Sequence, residues 1–428
     1  MTGSPARSTW LDAAQTAELL GVKAATVYAY VSRGLLHPRR PEHAGGGRHS
    51  EFDRREVERL AARSRRGGRA GALDVLVESD LTLLDPAGAM YYRGAPVADL
   101  ARTLRFEQVA AHLWDVPAAT QPWHPPAEPL AAARAAAAQL PPAATAVDRV
   151  RLATAVLAPF DPDRSDRSLG HVTAIGTHLV AAGVDVQQTR TAAVDGSIAA
   201  RLWSVVADHL PSQDELSTTD AALTVLADHE LAASTFAARV AAGVRSDPYL
   251  VVLTGLSTLS GSLHGRTSGP ARAMLEDAAA TDDVTGAVAR ATRGGSLDGF
   301  GHKVYRGPDP RADVLLDLVA RLAPDRWPVV DRVLEEGVRA SGREPNVDAG
   351  LAAFEFACRL APGSGELVFA LARIVGIIGH ALEEYPHALR FRPRAVYTGL
   401  SPGSPDVLVG TSADRAAPGT ATGGCGPT

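Results

Sequence analysis

Several residues able to do chemistry stand where an alanine-rich, helix-forming chain is interrupted by glycine or proline. His302 lies in GFGHKVYRGPDPRA (299–312), nine residues before Arg311. His264 lies in SGSLHGRTSGP (260–270), His229 in LADHELAAST (226–235) and Asp348 in PNVDAG (345–350). Arg373 sits inside the apolar run ELVFALARIVGIIG, and Arg392 and Arg394 in RFRPRAVYTG. Imidazoles supply donors and general acids near neutral pH, a desolvated carboxylate supplies a base, and guanidinium groups hold carboxylates through paired hydrogen bonds. No HxxxH or HxH pair accompanies the histidines, so no metal site is expected. Each residue alone has a simpler reading. His229, between Asp228 and Glu230, suits an exposed helix, His264 a helix end, and Arg373 a buried ion pair.

The elements that must position these groups are mostly helical. From residue 72 onward, short β-rich pieces (LTLLD, MYYRG) flank turn signals, and helical patterns broken at Pro or Gly clusters follow. The alanine-rich run at 129–146 fits a helix, since alanine is the best helix former. The Pro/Gly/Ser/Thr-rich residues 401–428 are expected to be disordered. A chain of 428 residues with 46% hydrophobic content can bury a sizeable core, in about two or three domains. Two cysteines, Cys358 and Cys425, exclude a disulfide framework and suit a reducing cytoplasm. No apolar run at the N-terminus marks a signal peptide, and none of about 18 consecutive residues marks a membrane span.

Charge divides the chain. Residues 1–70 hold thirteen Lys/Arg against seven Asp/Glu, a balance of +6 that leaves −11 for the remainder. Residues 10–36 predict two short helices about Gly21. Ala13, Ala14, Ala17 and Leu20 line the first, and Ala25, Val27, Tyr28 and Val31 the second. A Gly-rich hairpin at 43–52 and a helix from Asp53 follow. Together they resemble the winged helix-turn-helix of the MerR and excisionase type, in which the second helix enters the DNA major groove. Lys23, Arg33, Arg39, Arg40 and Arg48 would then meet phosphates. The alternative is a docking or oligomerisation module with a solvated basic face. SRRGGRAG (64–71) has linker composition.

Taken together, the chemical residues stand in one order. GFGHKVYRGPDPR resembles the signature of the citrate synthase family, a glycine–aromatic–glycine–histidine followed by Asp-Pro-Arg. YYRGAPVADLA, FEQVAAHLW, LADHELAAST, SLHG, PNVD, ALARIVGIIGHALEEY and RPRAVYTG are similar to further family segments, in the family's order across nearly all of residues 76–400. The resemblance implies a mainly α, two-domain helical fold preceded by a small winged helix-turn-helix domain. Its boundaries would be 1–63 for that domain, 64–75 for the linker, 76–263 with 365–400 for a large domain, 264–364 for a small one, and 401–428 for the tail.

It also implies roles. The reaction would condense acetyl-CoA, or propionyl-CoA, with oxaloacetate and water to give citrate, or 2-methylcitrate, and CoA. Asp348 would take a proton from the acyl methyl group, His264 would donate to the enolate oxygen, and His302 would polarise the oxaloacetate carbonyl. Arg311, Arg373 and Arg392 would hold the carboxylates, with His229 as an added donor and Arg392 reaching in from the partner of a cytoplasmic homodimer. Coenzyme A, a co-substrate rather than a bound cofactor, would lie along Ser296, Leu297, Asp298, Gly299 and Phe300, with Arg306 on a phosphate.

Four departures bear on acyl choice and rate. They are GRTSG after His264, Ala349-Gly350-Leu351 after Asp348, Ser296-Leu297-Asp298 before the glycine pair, and Ala232 where the family commonly has Asn. The rival reading is a DNA-binding regulator whose synthase-like body senses oxaloacetate or acyl-CoA. A sensor needs the arginines but not the base, and all of His264, His302 and Asp348 are present.

Overall fold

The computed structural model describes residues 10–20, 22, 27, 30–31, 36–39, 50–54, 56–57, 76–85, 88–261, 264, 268–305, 307–387 and 391. The chain divides into two compact units, Met1–Glu78 and Ser79–Thr428.

In the first unit, strand β1 (Trp10–Asp12) leads into helix α1 (Ala13–Leu20), and β2 (Pro38–Arg39) and β3 (Glu51–Asp53) complete a three-stranded antiparallel sheet ordered β1-β3-β2. Asp12 and Gln15 start α1 with a reciprocal cap. The Asp12 carboxylate accepts from the Gln15 N–H (2.8 Å) and the Gln15 amide oxygen from the Asp12 N–H (3.1 Å). Leu11, Ala17, Leu20, Val27, Leu36, Phe52 and Val57 form the core.

Sequence and structure differ here in three places. Trp10–Asp12 is a strand rather than the start of a helix, because Leu11 pairs opposite Phe52. Ala14 is exposed and Thr16 takes the buried position. Glu51–Asp53 is extended, and helical residues begin only at Arg54. Of the basic residues, Arg39 is described, with its guanidinium 3.7 Å above the Trp10 ring centroid. Lys23, Arg33, Arg40 and Arg48, the expected linker at 64–75 and the tail at 401–428 lie outside the described residues.

The second unit opens with the antiparallel sheet β4 (Thr82–Leu84), β5 (Met90–Tyr92) and β6 (Ala95–Pro96), in that order. Helices α2 (Val97–Thr103), α3 (Phe106–Trp114), α4 (Ala127–Ala137), α5 (Ala146–Leu157), α6 (Leu169–Asp185), α7 (Ile198–Val206) and α8 (Gln213–Leu226) follow. Then come α9 (Ala233–Gly243), α10 (Pro248–Leu259), α11 (Ser268–Thr281), α12 (Val284–Ala291), α13 (Pro310–Leu322), α14 (Trp327–Ser341), α15 (Val347–Ala357) and α16 (Ser364–Glu384). Helices α11 to α15 pack on one another, with α15 held between α11 and α13.

Helix α16 is the axis of the core and packs against α3, α5, α6, α8, α9 and α10. By length and composition it could cross a membrane, with a mean hydropathy of 1.6, but 89% of its apolar window is buried inside the protein, the placement of a core helix. The sequence shows no unbroken apolar run there because Arg373 and His380 interrupt it. Trp114 ties α3 to this axis by donating to the Val375 carbonyl (2.9 Å) and stacks on Trp123 at 5.8 Å. Gly376 lets α16 approach the end of α8. Its N–H donates to the Ala227 carbonyl (3.0 Å), and a Cβ there would lie 2.9 Å from the Asp228 Cβ.

Candidate active site

Five segments bring the chemical residues together. The first is the turn after α8, which carries Asp228 and His229. The Tyr92 hydroxyl on β5 anchors it, lying 3.0 Å from the Thr224 and Asp228 carbonyls and accepting from the Asp228 N–H at 3.0 Å. Asp228 is fully buried. Its carboxylate accepts from Thr82 Oγ1 (2.6 Å) and the Glu230 N–H (3.1 Å), and lies 3.2 Å from His380 Nε2. Burial disfavours its charge, but His380, Arg373 and Thr82 outweigh that and hold it below the usual carboxylate range. Behind it, Arg239 donates to His380 Nδ1 (2.7 Å), Glu384 (2.9 Å) and Glu383 (2.7 Å). This network holds Asp228, the residue before His229, in place.

The second segment is mid-α16. Arg373 is 1% exposed, and its Nε donates to the Leu226 carbonyl at 3.1 Å. Its Nη1 and Nη2 have no hydrogen-bond partner among the described residues. Burial lowers its pKa and the nearby Asp228 opposes that. A guanidinium stays protonated even so, which leaves a buried cation with its outer face unpaired.

The third segment carries His264, whose ring lies edge-on to Phe369 at 6.0 Å, while the Arg373 guanidinium lies 4.9 Å from the centroid of the Phe369 ring. His264 Nε2 accepts from the Ser234 N–H (3.3 Å) and is 2.8 Å from Ser234 Oγ. A nitrogen that accepts from a backbone amide cannot carry the proton, so the neutral ring presents Nδ1–H. Burial, then Arg373, pushes its pKa down to about 4.

The fourth segment is residues 299–311. Gly299 (φ +88°) and Gly301 (φ +79°) adopt the left-handed backbone that glycine tolerates. Phe300 between them is buried against Gly337 of α14. His302 Nδ1 accepts from the Val304 N–H (3.1 Å) and the Tyr305 N–H (3.4 Å), so this ring presents Nε2–H. Burial and then Arg311 lower its pKa. His229 lies 5.1 Å from His302 and 5.6 Å from Tyr305, centroid to centroid, and its Nε2 is 3.0 Å from the Tyr305 hydroxyl. Burial, followed by Arg311 and Arg373, drives the His229 pKa well down.

The fifth segment is the start of α15. Asn346 caps this helix, accepting from the Asp348 N–H (2.9 Å), and ties it to the glycine loop through Gly299 O (2.9 Å) and Gly301 O (2.9 Å). Asp309 accepts from the Val347 N–H (3.0 Å) and forms a forked pair with Arg311, to Nε (3.0 Å) and Nη2 (2.8 Å). Burial opposes the Arg311 charge. Asp309 overcomes it, with Tyr305 and Asp348 adding to the same sign, and the net pKa is raised. Asp348 is therefore within electrostatic reach of Arg311, half-buried at the second residue of α15. Further along α15, Glu355 accepts from the Gly365 N–H (2.8 Å) and caps α16, and burial lifts its carboxyl to about 7.

His229, His264, His302, Arg311 and Arg373 thus surround one place, with Asp348 beside Arg311. Asp309 occupies the Nε–Nη2 edge of Arg311, so a forked grip on any second carboxylate through that edge is already taken. Leu297 and Phe300 are core residues. Asp298 lines a cavity of about 260 Å³ with Asp277 and Arg290, separate from the cavity of about 640 Å³ lined by His302, Lys303, Tyr305 and Arg343. Ser296 is exposed, and Arg306 and Arg392 lie outside the described residues. Sequence reasoning gave no role to Ser234, Tyr305, Asp309, Asn346 or Phe369. Asp309-Pro310 was detectable as a helix start, an N-cap followed by proline at the first turn.

The fold and this constellation define a class of protein, and sequence comparison agrees with them. The family model for the citrate synthase C-terminal domain matches residues 72–394, and the chain belongs to the citrate synthase family. A helix-turn-helix domain model matches residues 10–65. Among relatives, citrate synthase of Haloferax volcanii is 38% identical over 196 residues, which is 44% of this chain and 52% of that protein. The 2-methylcitrate synthase of Mycobacterium tuberculosis is 29% identical over 336 residues, 73% and 85% of the two chains. The chain spans about half the length of the first curated relatives it matches. The citrate synthase of Thermoplasma acidophilum, solved as a ternary complex with carboxymethyl coenzyme A and oxaloacetate, shares the fold. Its TM-score is 0.64 at 23% identity, over 76% of this chain and 94% of that one.

Proposed function

We propose that the protein condenses an acyl-CoA thioester with oxaloacetate and water, forming citrate or 2-methylcitrate and releasing CoA. The observation that carries this reading is Arg373, a buried cation with Nη1 and Nη2 unpaired among the described residues, facing a group of neutral imidazoles. A dicarboxylate supplies the missing partner.

On this reading Asp348 removes the α-proton of the thioester. His264 Nδ1–H stabilises the enolate oxygen, the kind of preorganised donor worth about 3–4 kcal/mol. His302 Nε2–H polarises the ketone of oxaloacetate. The enol carbon forms the new bond, the ketone oxygen takes a proton, and water then cleaves the thioester. Arg373 and Arg311 Nη1 hold carboxylates, and Arg392 adds to them from the partner of a cytoplasmic homodimer. Coenzyme A lies beside residues 296–300 with Arg306 on a phosphate. Residues 264–364 form a small domain whose closure on the rest excludes water.

The test is thiol release from acetyl-CoA and propionyl-CoA, each with and without oxaloacetate. Oxaloacetate-dependent release is expected from both, with catalytic efficiencies within about a thousandfold, since one methylene is worth about 1–3 kcal/mol. No release from either thioester sinks the reading, and a larger ratio sinks the open acyl pocket inferred from GRTSG and Ala349-Gly350.

The helix-turn-helix match at 10–65 and the basic balance of residues 1–70 favour a second role, DNA binding through phosphates. Affinity for duplex DNA should then fall steeply as salt rises, through loss of counterion release. The full chain showing no binding at low salt would remove this role.

A further inference from the structure

We infer that Tyr305 is a positioning residue for the oxaloacetate site, its hydroxyl fixing the His229 ring in the form that presents Nδ1–H. The inference rests on the proposed condensation. It goes further by assigning a residue that the sequence motif leaves without a role.

Tyr305 is 7% exposed and touches three of the candidate ligand groups at once. Its hydroxyl lies 3.0 Å from His229 Nε2, its ring lies 4.9 Å from the His302 ring, and the Arg311 guanidinium lies 5.8 Å from its centroid. Its backbone N–H also helps hold His302 Nδ1 (3.4 Å). Among the described residues the one other acceptor near the hydroxyl is Met90 Sδ at 3.8 Å. A neutral imidazole nitrogen accepts a hydrogen bond far better than a thioether, so the phenol proton goes to His229 Nε2. Burial raises the Tyr305 pKa to about 12, so the phenol keeps its proton across the working range.

The consequence is a common design for the three histidines. A backbone amide blocks one nitrogen of His264, and backbone amides block one nitrogen of His302. For His229 the Tyr305 phenol does the blocking. Each neutral ring then has a single N–H to offer. Without the phenol, His229 is free to turn over or change tautomer and present a lone pair to an anion.

The test uses the full chain labelled with ¹⁵N-histidine, near neutral pH, with the His229 signals assigned by their loss in His229→Gln. The wild type should show a protonated Nδ1 and a bare Nε2, and Tyr305→Phe, which keeps the ring, should show a mixture or the reverse. Calorimetric titration of Tyr305→Phe should give oxaloacetate binding about tenfold weaker, the size of one well-placed hydrogen bond. KM for acyl-CoA should stay within about twofold, a split that general loosening of the fold would not produce. Adding Tyr305→Phe to His229→Gln should weaken binding no further. A protonated Nε2 in the wild type, or unchanged oxaloacetate affinity in Tyr305→Phe, overturns the inference. If the wild type neither binds nor turns over oxaloacetate, the proposed function fails, and the imidazole signals still decide the role of Tyr305.

Discussion

Asp348→Asn should reduce condensation by at least about 10²- to 10⁴-fold, the range of a lost general base, while oxaloacetate binds as before. The separation follows from where the groups stand. Asp348 lies in the first turn of α15, whereas on the proposed reading Arg373, His229 and the Nη1 of Arg311 would hold the dicarboxylate. Asn matches Asp in size and keeps a polar side chain, so packing around Ala349 and Asn346 changes little. The carboxylate also interacts with the helix dipole, and losing that costs about 0.3–1 kcal/mol of stability. That is too little to unfold the protein and far less than the catalytic loss, so a fold defect cannot mimic the result. The measurement is turnover beside calorimetric titration of oxaloacetate. Turnover near that of the wild type would remove Asp348 as the base.

Arg373→Met should weaken oxaloacetate binding by at least about 100-fold and leave stability within about 1 kcal/mol. Removing one partner of a buried charged pair in a complex typically costs about 2–5 kcal/mol, because the other charge is left buried and unpaired. In the unliganded protein the balance reverses. The substitution loses the Nε bond to the Leu226 carbonyl, worth about 1 kcal/mol. It also relieves the desolvation of a cation whose two outer nitrogens lack partners among the described residues. Asp228 keeps Thr82, the Glu230 N–H and His380. Denaturant unfolding and oxaloacetate titration on the same sample check both halves. A large loss of stability with affinity retained would make Arg373 a structural residue.

What the sequence made legible follows how local the controlling physics is. Gly299 and Gly301 could be read because a positive φ selects glycine, and the first half of the alanine-rich run, up to Ala137, lies in α4 because alanine favours helix without needing a partner. Arg373 stood out as a charge in an apolar helix. The pairing of Arg311 with Asp309 was hidden although the two are two residues apart, since the motif shows a cation but not the direction of its fork. Tyr305 to His229 spans 76 residues, and Ser234 to His264 spans 30, so neither pairing leaves a periodic trace. Strand β1 was read as helix because three residues carry no usable period. Its pairing with β3 is a tertiary matter. The burial of the Leu297 and Phe300 side chains in the core is likewise a tertiary matter that the motif does not display.

The place of α16 has a consequence for how the chain acquires its structure. Its packing partners α3, α5, α6, α8, α9 and α10 all precede it in the sequence, so a growing chain makes every wall of the core before it makes the pillar. Contacts such as Trp114 to Val375, 261 residues apart, require long loops to close first, which slows folding. Until then the apolar faces meant for α16 meet water, the condition in which larger chains aggregate. Helper proteins that shield such faces would act mainly in that interval, and the interval ends when α16 is released and docks.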